Sequence, residues 1–219
     1  MAITPAYLFH WLQGNINILT KGLILLSMFL LSISPILSFI NIRIGSFRTR
    51  GQVASIDYII YWGIPIPIPR VSIAEQETIV AINLGGAVVP VLVGIVFVYS
   101  TILMGNHIVL YTTFASIIVT TIYTYLSSRV IPGVGIAAPG LGIALVSLAT
   151  SIPALNQGPI FIPAYVGASF GSLLGADVLR LMKNKDRINA PLISIGGAGV
   201  FDGIYLSGAL AVTLGMLFA

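Results

Sequence analysis

The sequence contains no cysteine, two histidines, and charged side chains at only 7% of its 219 positions. Without cysteine there are no disulfides, thiolate nucleophiles or thiolate metal sites, and the redox compartment is left open. His10 and His107 are too few and too far apart for a catalytic zinc centre, and the H-E-x-x-H helix motif is absent. Neither is matched at one depth by a Gly-flanked serine, which a serine-type intramembrane hydrolase requires. The Gly-rich stretches Gly133-Val-Gly135 and Gly196-Gly-Ala-Gly199 lack the Lys-Ser/Thr of a phosphate loop and the strand–helix alternation of a dinucleotide fold. No metal and no cofactor is expected.

What is present is apolar. Hydrophobic residues make up 57% of the chain and the mean hydropathy is +1.04. Soluble domains carry about a quarter charged residues, so the composition is that of an integral membrane protein forming a single membrane domain over residues 1–219. The net charge of +4 is read first as a topology signal, and nucleic acid is not an expected partner. Met1 to Asn15 lacks the basic region and cleavage site of a signal peptide and is expected to be retained.

The expected fold is an all-α polytopic membrane protein of about six transmembrane helices, with a β-hairpin between the first two. Apolar runs place the spans near residues 22–40, 76–100, 108–126, 136–151, 163–182 and 200–219, and the surface hairpin at 41–71. The hairpin is expected to turn near Arg50 and Gly51, with Pro65, Pro67 and Pro69 on an extended edge. Ser72 and Glu75 have capping-box spacing and are expected to open the second helix. Pro35 and Pro90 are expected kinks. Gly196, Gly197 and Gly199 oppose helix, so Pro191 to Ile195 is read as extended and the last helix as starting near Val200. Ile82-Asn-Leu-Gly-Gly-Ala and Ile193-Ser-Ile-Gly-Gly-Ala look alike, yet their places in a six-span order do not correspond, and the likeness is read as chance.

With six spans, nine basic residues (Arg43, Arg48, Arg50, Arg70, Arg129, Arg180, Lys183, Lys185 and Arg187) fall on one side and Lys21 alone on the other. The positive-inside rule then puts the basic loops in the cytoplasm and both termini outside the cell membrane.

Two carboxylates, Asp177 and Asp202, are embedded in apolar sequence on either side of the basic loop at 183–187. A carboxylate within a span costs at least ~2.5 kcal/mol on insertion scales, which marks both as candidate functional groups. The extended reading of 191–195 brings them to similar depth near the cytoplasmic face. Two carboxylates at low dielectric share a proton, the state in which an aspartyl protease activates water. Local roles are open beside this: Asp177 lies three residues before Arg180 on one helix face, and Asp202 suits a helix N-terminus. Gly196, Gly197, Gly199, Pro132, Gly133, Pro139 and Asn83 are candidate cavity-lining or substrate-positioning residues, since irregular backbone at membrane depth must face protein or a wet cavity.

AINLGGAVVPVLV, PGVGIAAP, GSLLGADVLRL and SIGGAGVFDGIYLSG together resemble a family of uncharacterised multi-pass membrane proteins found largely in archaea. More loosely, the last two spans resemble the catalytic core of the presenilin, signal-peptide-peptidase and prepilin-peptidase group. There, one Asp ends a helix, a cytoplasmic loop follows, and a Gly-rich stretch leads to a second Asp. That resemblance implies Asp177 and Asp202 as a catalytic dyad. The sequence departs from it in having Phe201 where the group has Gly before the second Asp, with Gly199 at minus three. Three readings follow: an intramembrane aspartyl protease acting on transmembrane peptide substrates, a proton- or cation-coupled transporter or channel using the same residues, and a non-catalytic membrane scaffold. Membrane lipid is the expected partner in all three.

Overall fold

In the computed structural model, residues 17–131, 135–184, 190–197 and 203–217 are described, with the backbone alone for 49–54, 71–74 and 76. The helices in chain order are α1 (Ile18–Leu37), α2 (Leu84–Leu103), α3 (His107–Ser127), α4 (Gly140–Ala154), α5 (Phe161–Asn184) and α6 (Gly203–Leu217). Four of them, α1, α2, α3 and α5, are long and apolar enough to cross a membrane, while α4 and α6 are shorter apolar helices. The strands are β1 (Asn41–Tyr61), β2 (Ile64–Asn83), β3 (Arg129–Ile131), β4 (Gly135–Ala137) and β5 (Leu192–Ile195).

Helix α5 is the centre of the bundle: 67% of its apolar window is buried, against 22% for α1. Its packing against α3 is written in a repeat of small residues. Gly167, Gly171 and Gly175 recur every four positions and face Ser116, Thr120 and Thr124, which have the same spacing on α3. A Cβ at Gly171 would overlap the Thr120 side chain, and one at Gly175 would overlap the Thr121 carbonyl. Between apolar helices in lipid there is no hydrophobic drive to associate, so close backbone approach of this kind supplies the contact. On another side of α5, Phe97 of α2 meets Phe161 and Tyr165 edge-on, at ring separations of 5.8 and 5.4 Å.

The all-α expectation is overturned. β1 and β2 pair antiparallel over their whole length, from Asn41↔Asn83 to Tyr61↔Ile64, and β5 adds to β2 in parallel, giving the order β1-β2-β5. At about 3.3 Å per residue the ribbon is roughly 65 Å long. Its turn lies at Trp62-Gly63, not near Arg50 and Gly51, which sit inside β1 opposite Glu75 and Ala74. Both turn residues have positive φ, 53° and 79°, as a two-residue turn matched to strand twist requires.

The capping box at Ser72 and Glu75 is also overturned as a helix start, because β2 runs through it to Asn83. Glu75 and Glu77 are engaged across the ribbon instead, by Arg48 at 4.0 Å and Arg43 at 3.1 Å. The β-branched run Thr78-Ile79-Val80 suits a strand. Helix α2 therefore begins at Leu84, with a π turn over Leu84–Val88.

At one end of the bundle, buried Ala190 and Ile193 pack with Phe47, Val130, Ile136 and Leu181. The ribbon base, the β3–β4 pair, the end of α5 and β5 thus share one face of the molecule. The zipper generates a test. Gly175→Val should lower the thermal unfolding midpoint in detergent by the equivalent of about 1–3 kcal/mol or more. Gly22→Val, with nothing within 4 Å of the new side chain, should barely move it. Equal effects at both positions would contradict the packing described.

Candidate functional site

Strands β2 and β5 run side by side toward the same end of α2, in the register Ile79↔Leu192 to Ile82↔Ile195. Each then enters a Gly-Gly pair, Gly85-Gly86 and Gly196-Gly197. The two pairs press together: a Cβ on Gly86 would overlap the Gly196 carbonyl, and one on Gly196 would overlap Ala87. Gly196 and Gly197 also have φ of 85° and 77°, which side chains other than glycine rarely adopt. The similar stretches beginning at Ile82 and Ile193 are thus spatial neighbours with a shared design, a strand leading into a glycine pair.

Asn83 secures this junction. It is fully buried; its Oδ1 accepts from the Gly86 amide at 2.6 Å and so caps α2. Its Nδ2 donates to the Ser38 carbonyl and, at 3.1 Å, to Asn41 Oδ1, which also accepts from the Ser194 hydroxyl at 2.6 Å. One side chain joins the end of α1, both ribbon strands and the start of α2, and Asn41 extends the link to β5. Asn83 is a capping residue here, away from the residues lining the cavity described next.

Asp177 lies in a second π turn, Leu173–Arg180, within α5. Its Oδ2 accepts from the Gly196 amide at 3.0 Å. Arg180, its local candidate partner, turns onto α3: its Nη1 lies 3.3 Å from the Tyr125 carbonyl and its guanidinium 5.4 Å from the Tyr125 ring centre. Lys183 lies over the same ring at 5.7 Å. The π turn places Gly175 against the α3 backbone while Asp177 points toward β5 and the start of α6. Such turns in helices often accompany functional sites.

A cavity of about 250 Å³ opens beside Asp177. Its walls are Ile136 and Ala137 of β4 with Ala138 just after it, Ser172 and Ala176 with Asp177 on α5, and Gly203 and Ile204 at the start of α6. At ~30 Å³ per water it has room for about eight waters, or a peptide group with a few. Asp202, Gly199, Pro132 and Gly133 lie outside the described residues. Pro139 precedes α4 as its cap residue and is exposed. Of the residues singled out from sequence, Asp177 lines the cavity and Gly196 bonds to it, while the Gly197 amide turns back to the Ser194 carbonyl. Ser172, Ala176 and Ile204 carry no sequence signal of their own, being small or apolar residues indistinguishable from packing, while the Ile136–Ala138 wall lies in the Gly- and Pro-rich stretch between the candidates Gly133 and Pro139. Gly86 had one, the likeness to Gly196-Gly197. No group of three or more histidine, aspartate or glutamate residues able to hold a metal occurs among the described residues.

The fold and site define a bundle of apolar helices, four of membrane-spanning length, bearing a long β-ribbon and a carboxylate-lined cavity at the ribbon end. The chain belongs to the family described as Protein of unknown function (DUF1614), whose model matches residues 36–214. No curated protein and no solved structure matches it.

The Asp177–Gly196 bond can be tested directly. A hydrogen bond to a charged acceptor contributes about 1.5–3 kcal/mol. Asp177→Ala should therefore speed amide exchange at Gly196 by about ten- to a hundredfold, and Asp177→Asn, which keeps an acceptor oxygen, by much less. Unchanged exchange in Asp177→Ala would contradict the contact.

Proposed function

We propose that this protein is an intramembrane aspartyl hydrolase in which Asp177 and Asp202 share a proton and cut a peptide bond in a membrane-embedded substrate. The observation that carries the proposal is the cavity. Asp177 lines it, and so does Gly203, the residue that follows Asp202 in the chain.

In this reading the ionised member of the pair takes a proton from a water while that water attacks the amide carbonyl carbon. The protonated member hydrogen-bonds the carbonyl oxygen and stabilises the charge developing there. The resulting gem-diol collapses as the carbon–nitrogen bond breaks and a proton passes to the leaving nitrogen. No metal enters the scheme. The Gly196 amide, donating to Oδ2, would hold one carboxylate oxygen in place. Among the described residues β5 is the outer strand of its sheet, so its outer edge would offer backbone groups to an unwound substrate strand entering beside Asp177.

Charge supplies the orientation. Arg43, Arg48, Arg129 and Lys183 lie on elements gathered at the ribbon end of the bundle, while Lys21 lies on the first turn of α1. By the positive-inside rule we place the ribbon end, with the cavity, toward the cytoplasm of a cell membrane.

The test is cleavage. Purified protein incubated with helical, lipid-embedded peptides should yield defined fragments, and Asp177→Asn and Asp202→Asn should each reduce turnover by a thousandfold or more while the protein stays folded. Cleavage persisting in both variants would end the proposal. Ion flux in proteoliposomes that depends on the same two residues, without cleavage, would assign them to a transport path instead.

A further inference from the structure

The distal third of the ribbon is built unlike its base. From Tyr58 to Pro69 there is no charged residue, and the nearest charges, Asp57 and Arg70, pair with each other at 2.8 Å. Both faces of this tip are apolar and both are exposed. Ile60 is 77% exposed, Tyr61 64% and Trp62 88%, the last at the very end of the turn. A soluble hairpin of this length would show one polar face, and a hairpin packed on its own bundle would show burial; this one has neither.

The backbone gives the second observation. Pro65, Pro67 and Pro69 lie opposite Ile60, Tyr58 and Ile56. A proline has no amide to give the ladder, so these alternate positions are the ones whose amides would point outward, away from β1. Three outward donors are thereby removed along the exposed edge of β2. The same replacement makes that edge a poor template for another strand and lowers the desolvation penalty of placing it in an apolar medium. Near its base the edge of β2 is covered by β5. β1 keeps its outward amides, so the tip still needs water or headgroup oxygens within reach. Aromatic side chains with polar ends, Tyr58, Tyr61 and Trp62, are those that favour the boundary between headgroups and acyl chains. At its base, the ribbon carries a β-bulge between Arg43 and Gly45, the kind of irregularity that bends a strand where it leaves the bundle.

We infer that the tip, Tyr58 to Pro69, is a lipid anchor that inserts into the headgroup–acyl boundary of the bilayer holding the helices. The ribbon then lies over the membrane surface from its bend near Arg43 to its immersed turn at Trp62. Its ion-paired proximal part, with Arg43–Glu77, Arg48–Glu75 and Arg70–Asp57, stays in the aqueous layer. The inference stands on the ribbon alone and is independent of the hydrolase reading.

Trp62 is the reporter. In Trp11→Phe protein it is the sole indole, because the chain has two tryptophans. The protein is reconstituted in nanodiscs of lipids brominated near the headgroup end of the acyl chain, or near the chain terminus, or unbrominated with brominated vesicles added. The inference requires strong quenching in the first, weaker quenching in the second and none from added vesicles, together with shielding from aqueous iodide. Ile60→Lys, at a residue exposed on the tip, should shift Trp62 emission to the red and restore iodide quenching with the fold intact by circular dichroism. Trp62 open to iodide and indifferent to bromine in the discs would overturn the inference. Quenching by the added vesicles alone would overturn it too, since the tip would then engage a second membrane.

Discussion

The contact on which this structure depends is the backbone of Gly196 lying directly on Gly86 and Ala87. No side chain larger than hydrogen fits between them. Because that approach is possible, β5 can lie beside β2 in parallel, and the two strands feed into the bundle at one level. The same glycine then offers its amide to Asp177, while Asn83 caps α2 from below and reaches toward Asn41, which bonds Ser194 of β5. If the glycine pair were separated by even a methyl group, the sheet order, the Asp177 contact and the shape of the cavity rim would all change together.

Much of the bundle was legible from composition and apolar periodicity, because a helix that faces lipid must satisfy its own backbone and declares itself in a long uncharged run. The extended character of Leu192–Ile195 was legible too, from the glycines that follow it. What could not be seen were contacts between residues distant in sequence. Ser72 and Glu75 carry the local code of a helix start, yet β1 supplies Arg48 across the ribbon and strand pairing prevails. Gly51 looks like a turn residue, but its neighbours keep pairing and the turn forms where Trp62-Gly63 takes positive φ. Asp177 and Arg180 have the spacing of a helical ion pair, and tertiary structure turns Arg180 toward Tyr125 instead. The likeness of the Ile82 and Ile193 stretches looked accidental only because chain order was taken as the guide to spatial order.

The site drawn together in this way has a coherent chemistry. A carboxylate on the central helix accepts from the amide of a glycine turn, so one of its oxygens is positioned by backbone. The cavity beside it is small, with room for a peptide group and a few waters but little for a large ligand. An outer strand lies next to it.

The proposal's central claim is that Asp177 and Asp202 act as a pair. The natural absence of cysteine makes a direct measurement possible without background. In the Asp177→Cys, Asp202→Cys double variant in lipid, a bifunctional thiol reagent spanning one or two carbon atoms should join the two positions rapidly. Proteolysis after Lys185 or Arg187, between the two positions, followed by mass spectrometry would then find the fragments still linked. The account predicts near-complete linkage, with none in either single variant; a double variant that remains unlinked, while both thiols react with a monofunctional reagent, would contradict it.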